Sequence, residues 1–477
     1  MSNVLAEQPS TVQHRVRSWL GRFWVPLALV LVAVGYSSAV TIQHSDAMSP
    51  IDEWVYLDYL DKLPTQGVLT PGEEIGPEGL DRMACDGVFP YGPMGAACGS
   101  SYADVSTFPF GGITSADPYT PFYFGVTRVV GDAIHFVSGV DQLTAWRLTG
   151  SLWLAASVLL LWLLLRQWRV SSTAALGLGL AFIASPFAWW TYTYVSTDAP
   201  SFLAGAALLF VTTRFVRGTG SLWWIPAIAV LATIFKVTNL LAVGLSALYL
   251  VIHGLITVWN RRKQRVSGAE GLAEFGGSPA EGPAPARRLR REWLVLIVAA
   301  ATSVAAILTQ FVWLRIHASL RPEGAAGSSG GNPLGVQELL GQMANFLPGT
   351  ITSNVNIAGS TGYALPIPGF AVTPLSWLTI AGVIGAFWAL RGVTPRSPLV
   401  IAIAISSVVF APALALALYV TTGSYFTLPP RYGASILAGF LLAAGLVIRN
   451  RWASWILVGY GVALLGAMSV LTALLHD

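Results

Sequence analysis

Long apolar runs, each closed at one end by arginines, recur from residue 23 to residue 474 and restrict the chain to one class of fold. In hydrocarbon every backbone N–H and C=O must be satisfied within the protein, so runs of this length are read as helices. Spans are expected at 23–42, 143–165, 172–190, 199–216, 293–316, 375–390, 398–421, 433–448 and 452–474. The stretch 222–258 is too short for two spans of about 20 residues with a loop. It reads as two shortened helices meeting at Phe235-Lys236-Val237-Thr238-Asn239. The expectation is an all-α polytopic membrane protein of about eleven transmembrane helices. Only 10% of the 477 residues are charged, against roughly 25% in soluble domains, which excludes a large soluble core.

Charge placement orients these spans. Arg15/Arg17/Arg22, Arg166/Arg169, Arg214/Arg217, Arg261 to Arg265, Arg287 to Arg291, Arg391/Arg396 and Arg449/Arg451 mark cytoplasmic edges by the positive-inside rule. Of the 23 acidic residues, 14 lie between Asp46 and Asp141. Residues 1–22 are then a cytoplasmic N-terminus and 23–477 a single transmembrane domain. The segment 43–141 is a large extracytoplasmic loop, and 317–374 and Thr422 to Tyr432 are a second and third. The basic start and the following apolar run resemble a signal peptide. That run is longer than the ~7–15 apolar residues of a signal sequence, so an uncleaved first span is expected. The stretch 259–292, basic at both ends and Gly/Ala/Pro/Glu-rich between, reads as a disordered cytoplasmic linker. Cys85 and Cys98 are the only cysteines and share the first loop, which fits a disulfide in an oxidising compartment. Only three of the 27 basic residues are lysine. With the Gly/Ala-rich composition, this associates the chain with a high-GC bacterium and its plasma membrane.

The first loop opens with Ser49-Pro50-Ile51-Asp52-Glu53. Ser49 reads as a helix N-cap, Pro50 as the first helical residue, and Asp52 as the capping-box position. Ile51, Trp54, Leu57, Leu60 and Leu63 recur at three-residue steps with Asp58, Asp61 and Lys62 between them. That pattern predicts an amphipathic helix on the membrane surface. A second surface helix is expected from the Asp117-Pro118 start to about His135.

Several residue types here can carry chemistry. A carboxylate at the interface, Asp52 or Glu53, can act as general base toward an acceptor hydroxyl; helix capping is the alternative, because the macrodipole favours an acid there. Asp117 has the same two readings, as a second carboxylate for acceptor or metal, or as a cap. Lys236 inside an apolar hairpin is costly and points to function, with snorkelling to the interface as its alternative. Arg431, in Pro429-Pro430-Arg431-Tyr432, stands against the positive-inside trend and suits bidentate phosphate binding. Arg315, His317 and Arg321 form a further basic group. His44, His135 and Asp198 read as polar interface residues. No His/Cys/Asp/Glu grouping has metal-ligand spacing, so no cofactor is assigned, a divalent ion being left open.

These elements together resemble the GT-C superfamily of membrane glycosyltransferases, which includes lipid A aminoarabinose transferase, protein O-mannosyltransferases and mycobacterial arabinosyl- and mannosyltransferases. The carriers are the large first loop opening with Asp52-Glu53, Thr197-Asp198-Ala199-Pro200, the lysine-bearing Ile234-Phe235-Lys236-Val237-Thr238, and Pro430-Arg431-Tyr432. The resemblance implies inverting transfer from a polyprenyl-phosphate sugar, with Asp52 or Glu53 as base and Lys236 and Arg431 on the donor phosphate. Arg315 and Arg321 are further candidates for that phosphate. It implies a glycan, lipid or protein acceptor outside the cell and no nucleic acid. A compact chain looks more like a single-sugar transferase, with mannose or arabinofuranose the natural guesses in an actinobacterium. The rival is a transporter or flippase of a lipid-linked or acidic solute, with Lys236 in its path. Polar residues gathered at the outer edge and the lack of matching halves count against it. A blander third reading is an envelope assembly factor that docks through its outer loop.

Overall fold

The computed structural model describes residues 11–274, 286–321, 332–343, 345–353, 365, 367–393 and 395–474. The regular structure among the described residues is helical, with no strands beyond isolated bridges such as Met48 to Val88. In chain order the helices are α1 (Thr11–Gln43), α2 (Glu53–Gln66), α3 (Pro77–Cys85), α4 (Pro121–Ser138), α5 (Gln142–Gln167) and α6 (Ser172–Ile183). Then come α7 (Pro186–Tyr192), α8 (Ala199–Val216), α9 (Trp224–Phe235), α10 (Leu240–Glu274), α11 (Ala286–Ser319) and α12 (Val336–Met343). The last are α13 (Phe346–Gly349), α14 (Gly369–Leu390), α15 (Ser397–Thr422), α16 (Ala434–Val447) and α17 (Arg451–Leu474).

Among the described residues nine helices are long and apolar enough to cross a bilayer, and the pair α6–α7, bent by 59°, counts as a tenth. The protein is a multi-pass membrane protein. The bend comes at Ser185-Pro186, where proline ends one helix and starts the next and the Ser185 hydroxyl accepts from the Ala188 N–H at 3.1 Å. The expected pair of shortened helices is only half right. The 12-residue α9 is short, but Val237–Asn260 is a full 24-residue span. The break between them is at Lys236, whose backbone is extended. There the Ala232 carbonyl accepts both from the Lys236 N–H at 3.2 Å and from the Asn239 side-chain amide at 2.9 Å, which ties the segment after the break back to the last turn of α9. The expected linker 259–292 is helical over 259–274 and 286–292; residues 275–285 lie outside the described residues. The expected loop 317–374 carries α12 and α13, with 322–331, 344, 354–364 and 366 outside the described residues.

The helix α2 does not lie on a surface. Glu53 to Leu60 are all buried, because the rest of the first loop folds over the polar side of α2. Its charges are paired there instead of solvated. Lys62 bridges Asp58 at 2.9 Å and Glu73 at 3.0 Å, Arg82 bridges Asp61 at 2.8 Å, and the Gly76 N–H donates to Asp58 at 2.7 Å. The helix also starts later than expected, at Glu53, with Ser49 to Asp52 forming the turn before it. Cys85 and Cys98 form a disulfide at the end of α3.

The core is built around α16, whose residues Ala434 to Leu446 are all buried, packed by α8 and α14. Gly205 on α8 lies so close to α16 that an added Cβ would sit 1.7 Å from the Ser435 carbonyl oxygen. Gly205→Ala must therefore push the two helices apart. It is expected to cost about 1–3 kcal/mol by overpacking, read as a lower melting temperature in detergent. The same close approach brings two polar turns together, because α8 begins just after Asp198 and α16 shortly after Arg431.

Candidate functional site: a buried charge chain beside an apolar groove

The turn before α2 places Asp52 in a left-handed backbone conformation (φ 62°, ψ 13°). Asp tolerates this region better than most residues, at a strain of order 1–3 kcal/mol. The effect is to swing its carboxylate off the helix axis. It makes no capping hydrogen bond to the backbone, which corrects the capping-box expectation. Its Oδ2 accepts instead from Arg431 Nη2 at 2.9 Å, across 379 residues of sequence. The Asp52 side chain is 32% exposed.

Arg431 lies in the turn Pro430–Gly433 that leads into α16. Its Nε is 3.3 Å from Asp198 Oδ2, yet it is misaligned and remains a buried N–H without a hydrogen-bond partner. Asp198 precedes α8 and is 1% exposed. Its Oδ1 accepts from Lys236 Nζ at 2.6 Å, and the Thr197 hydroxyl accepts from the same ammonium at 3.0 Å. The four side chains thus alternate in sign: Asp52, Arg431, Asp198, Lys236. Together they carry no net charge.

Three tyrosines surround this chain. Lys236 Nζ stands 5.6 Å from the Tyr119 ring centroid and 5.5 Å from that of Tyr432, distances at which a cation is attracted to the ring face. Tyr56 hydroxyl accepts from Thr197 at 3.1 Å. Burial first, and then the Asp52 charge, pushes the Tyr119 phenol up to about 12. Burial likewise raises Tyr56 well above its ordinary value. Both phenols stay protonated at neutral pH and remain hydrogen-bond donors.

Glu53, adjacent in sequence, points elsewhere. It is fully buried in an ion pair with Arg147 of α5, Oε1 to Nε at 2.9 Å, and also accepts from the Ser49 and Val195 N–H groups. Of the two alternatives for the base, Asp52 or Glu53, Glu53 is the enclosed one and Asp52 the partly exposed one. Asp117 is also not at the chain. Its carboxylate accepts from the Gly72 N–H at 3.2 Å and lies 3.7 Å from His317 Nε2. Burial raises its carboxyl above the ordinary value, against the pull of the Gly72 N–H and of His317. Arg315 is exposed, its guanidinium over Phe311 at 4.9 Å, and Arg321 is exposed as well; no contact among the described residues joins either to Lys236 or Arg431. His44 contacts the Thr193 hydroxyl at 2.8 Å and stacks on Tyr194, while His135 contacts the Val140 carbonyl at 2.6 Å.

Sequence reasoning misses two participants. Asp198 reads there as an interface residue, though the Thr197-Asp198-Ala199-Pro200 element is a usable signal. Arg147 draws no attention, although an arginine inside the run 142–167 stands out against its apolar neighbours. Among the described residues no three His, Cys, Asp or Glu side chains converge as a metal site.

Beside the charge chain is an apolar cavity of about 480 Å³, bounded by the start of α4, the end of α9 and the last turns of α11. Thr120, Phe122, Ile234, Leu308, Val312 and Trp313 line it. One short segment connects the two features. The Pro118 carbonyl accepts from Trp313 Nε1 at 2.7 Å, Tyr119 faces Lys236, and the Thr120 hydroxyl donates to the Ile234 carbonyl, two residues before Lys236. The arrangement can therefore receive an anion at its cationic side chains and a hydrocarbon chain next to it.

No family model matches the chain, and no curated protein matches its sequence. Among solved structures it is similar to the oligosaccharyltransferase of Archaeoglobus fulgidus. The apo form gives a TM-score of 0.43 at 13% identity, with 95% of this chain and 56% of that one covered. The form tethered to an acceptor peptide containing an NVT sequon gives 0.41 at 12% identity, covering 95% and 55%. The form in complex with an inhibitory peptide and a dolichol-phosphate gives 0.44 at 15% identity, covering 96% and 56%. The chain thus spans just over half the length of the proteins it matches.

Proposed function

We propose that the protein is an inverting glycosyltransferase that takes one sugar from a polyprenyl-phosphate donor. Its acceptor is a hydroxyl of a cell-envelope glycan, lipid or protein on the extracytoplasmic face of a bacterial plasma membrane. The observation that carries this reading is a partly exposed carboxylate and two buried cations linked, through the segment Pro118 to Thr120, to an apolar groove. Asp52 takes the proton of the acceptor hydroxyl as its oxygen attacks the anomeric carbon. The carbon–oxygen bond to phosphate breaks, and the leaving polyprenyl phosphate keeps the electron pair. Arg431 and Lys236 stabilise that charge. The isoprenoid chain runs along the groove. Mannose and arabinofuranose are the sugars to try first.

The reading is tested with purified protein in nanodiscs, offered labelled polyprenyl-phosphate sugars with envelope extracts. Release of polyprenyl phosphate from one donor, coupled to labelling of an acceptor, is the expected result. No release from any donor by folded protein would turn the reading toward transport of a lipid-linked or acidic solute. The groove has its own test in Val312→Trp. Filling it is expected to raise the donor KM roughly tenfold, about 1.4 kcal/mol, with little change in kcat; an unchanged KM would remove the groove from donor binding.

A further inference from the structure

Asp52 and Glu53 are neighbours in sequence but diverge in space, one toward Arg431 and the other away from it. We propose that Glu53 and Arg147 are positioning residues, a buried strut that holds the segments bearing Asp52 and Asp198 at the separation Arg431 spans. This rests on the reading that Asp52 and Asp198 belong to the site of transfer.

The strut is defined by where its hydrogen bonds go. Glu53 Oε1 accepts from Arg147 Nε at 2.9 Å and from the Val195 N–H at 2.9 Å. Oε2 accepts from Arg147 Nη2 at 3.0 Å and from the Ser49 N–H at 2.7 Å. Arg147 then donates through Nη1 to the Ser45 carbonyl and through Nη2 to the Ala47 carbonyl, both at 2.9 Å, while its guanidinium lies 4.9 Å from the Tyr194 ring. One carboxylate and one planar fork thereby join the connector after α1, the first turn of α2, α5 and the turn before α8. Asp52 is the residue next to Glu53, and Asp198 is three residues beyond Val195.

Both members are almost fully buried, at 0% and 1% exposure, and their hydrogen bonds go to each other and to backbone groups. Stability alone is a weak reason for such a pair, because well-packed apolar replacements of buried ion pairs are often neutral or stabilising. No apolar pair can bind two N–H groups and two carbonyls from separate segments. The consequence is geometric. A misplacement of about 1 Å in reacting groups can cost roughly 100-fold in rate.

The test uses the full-length protein in nanodiscs. Glu53→Gln alone strands a buried guanidinium, so the informative variant is Glu53→Gln with Arg147→Met, which removes the charge from both positions. It is expected to stay folded but to melt somewhat below wild type, since the Ser45 and Ala47 carbonyls lose their donor. Amide exchange of segments 48–52 and 195–198 should quicken together, with α17 unaffected. Turnover should fall roughly 100-fold while the donor KM stays within about threefold. Unchanged exchange in either segment overturns the strut, whether or not the wild type transfers sugar. Quickened exchange with turnover within about threefold of wild type overturns the positioning role. A wild type that transfers from no donor sinks the proposed function by itself, and exchange still decides the strut. If the double variant does not fold, Arg147→Lys, which keeps the charge and loses the fork, is scored by the same measurements.

Discussion

Asp52→Asn is expected to lower transfer by about 10²–10⁴-fold while leaving the protein folded, since a positioned general base contributes on that order. The change is isosteric, and its remaining carbonyl oxygen can still accept from Arg431 Nη2, so the turn before α2 has no reason to open. Asn also tolerates the left-handed conformation observed at this position. What the amide lacks is a basic oxygen for the acceptor proton. The loss corresponds to roughly 3–5 kcal/mol of transition-state stabilisation and should fall on kcat more than on donor KM. The measurement is release of labelled polyprenyl phosphate at saturating donor, next to a melting curve. A rate within about threefold of wild type would remove Asp52 from the chemistry.

Asp198→Asn carries the largest expected loss of stability. Its carboxylate faces two cations, Lys236 at 2.6 Å and Arg431 at 3.3 Å. Neutralising it leaves Lys236 buried without a counter-charge and leaves Arg431 only Asp52. Breaking a buried pair from one side costs about 3–5 kcal/mol, because the remaining charge is uncompensated. Adding Lys236→Met to the Asp198→Asn variant should restore a good part of that loss, since the stranded ammonium is gone. A double-mutant cycle between the two positions isolates their coupling. Denaturation of the four proteins in the same detergent reads it directly. Additive losses would mean that the 2.6 Å contact contributes little. Transfer should stay low even where stability returns, because the phosphate has lost one of its cations.

Together these predictions separate two kinds of acid that look alike in sequence. Asp52 is reachable and strained; Asp198 is sealed and paired. The first is expected to show itself in rate, the second in rate and stability together.

What can be read from the chain is whatever is encoded locally. A span announces itself through some twenty consecutive residues, and the break at Lys236 through one ionisable residue inside an apolar stretch. The cysteines can be matched because the chain has only two, both in one loop. Lys236 and Arg431 are legible because a cation in that setting contradicts its surroundings. Local pattern fails where a partner lies far along the chain. The spacing of Ile51, Trp54, Leu57 and Leu60 describes a helix with one wet face, and only the loop folded over it, with Arg82 on Asp61 and Lys62 on Glu73, makes that face interior. The division of labour between Asp52 and Glu53 is of the same kind. It depends on the left-handed turn at Asp52, on Arg147 94 residues from Glu53 and on Arg431 379 residues from Asp52. The sequence by itself determined most of the long apolar helices, with the stretch 222–258 the exception, because burial of apolar surface and backbone satisfaction are decided segment by segment. Only the tertiary structure decided which charges meet, because a buried ion pair exists through the desolvation and geometry of both its members at once.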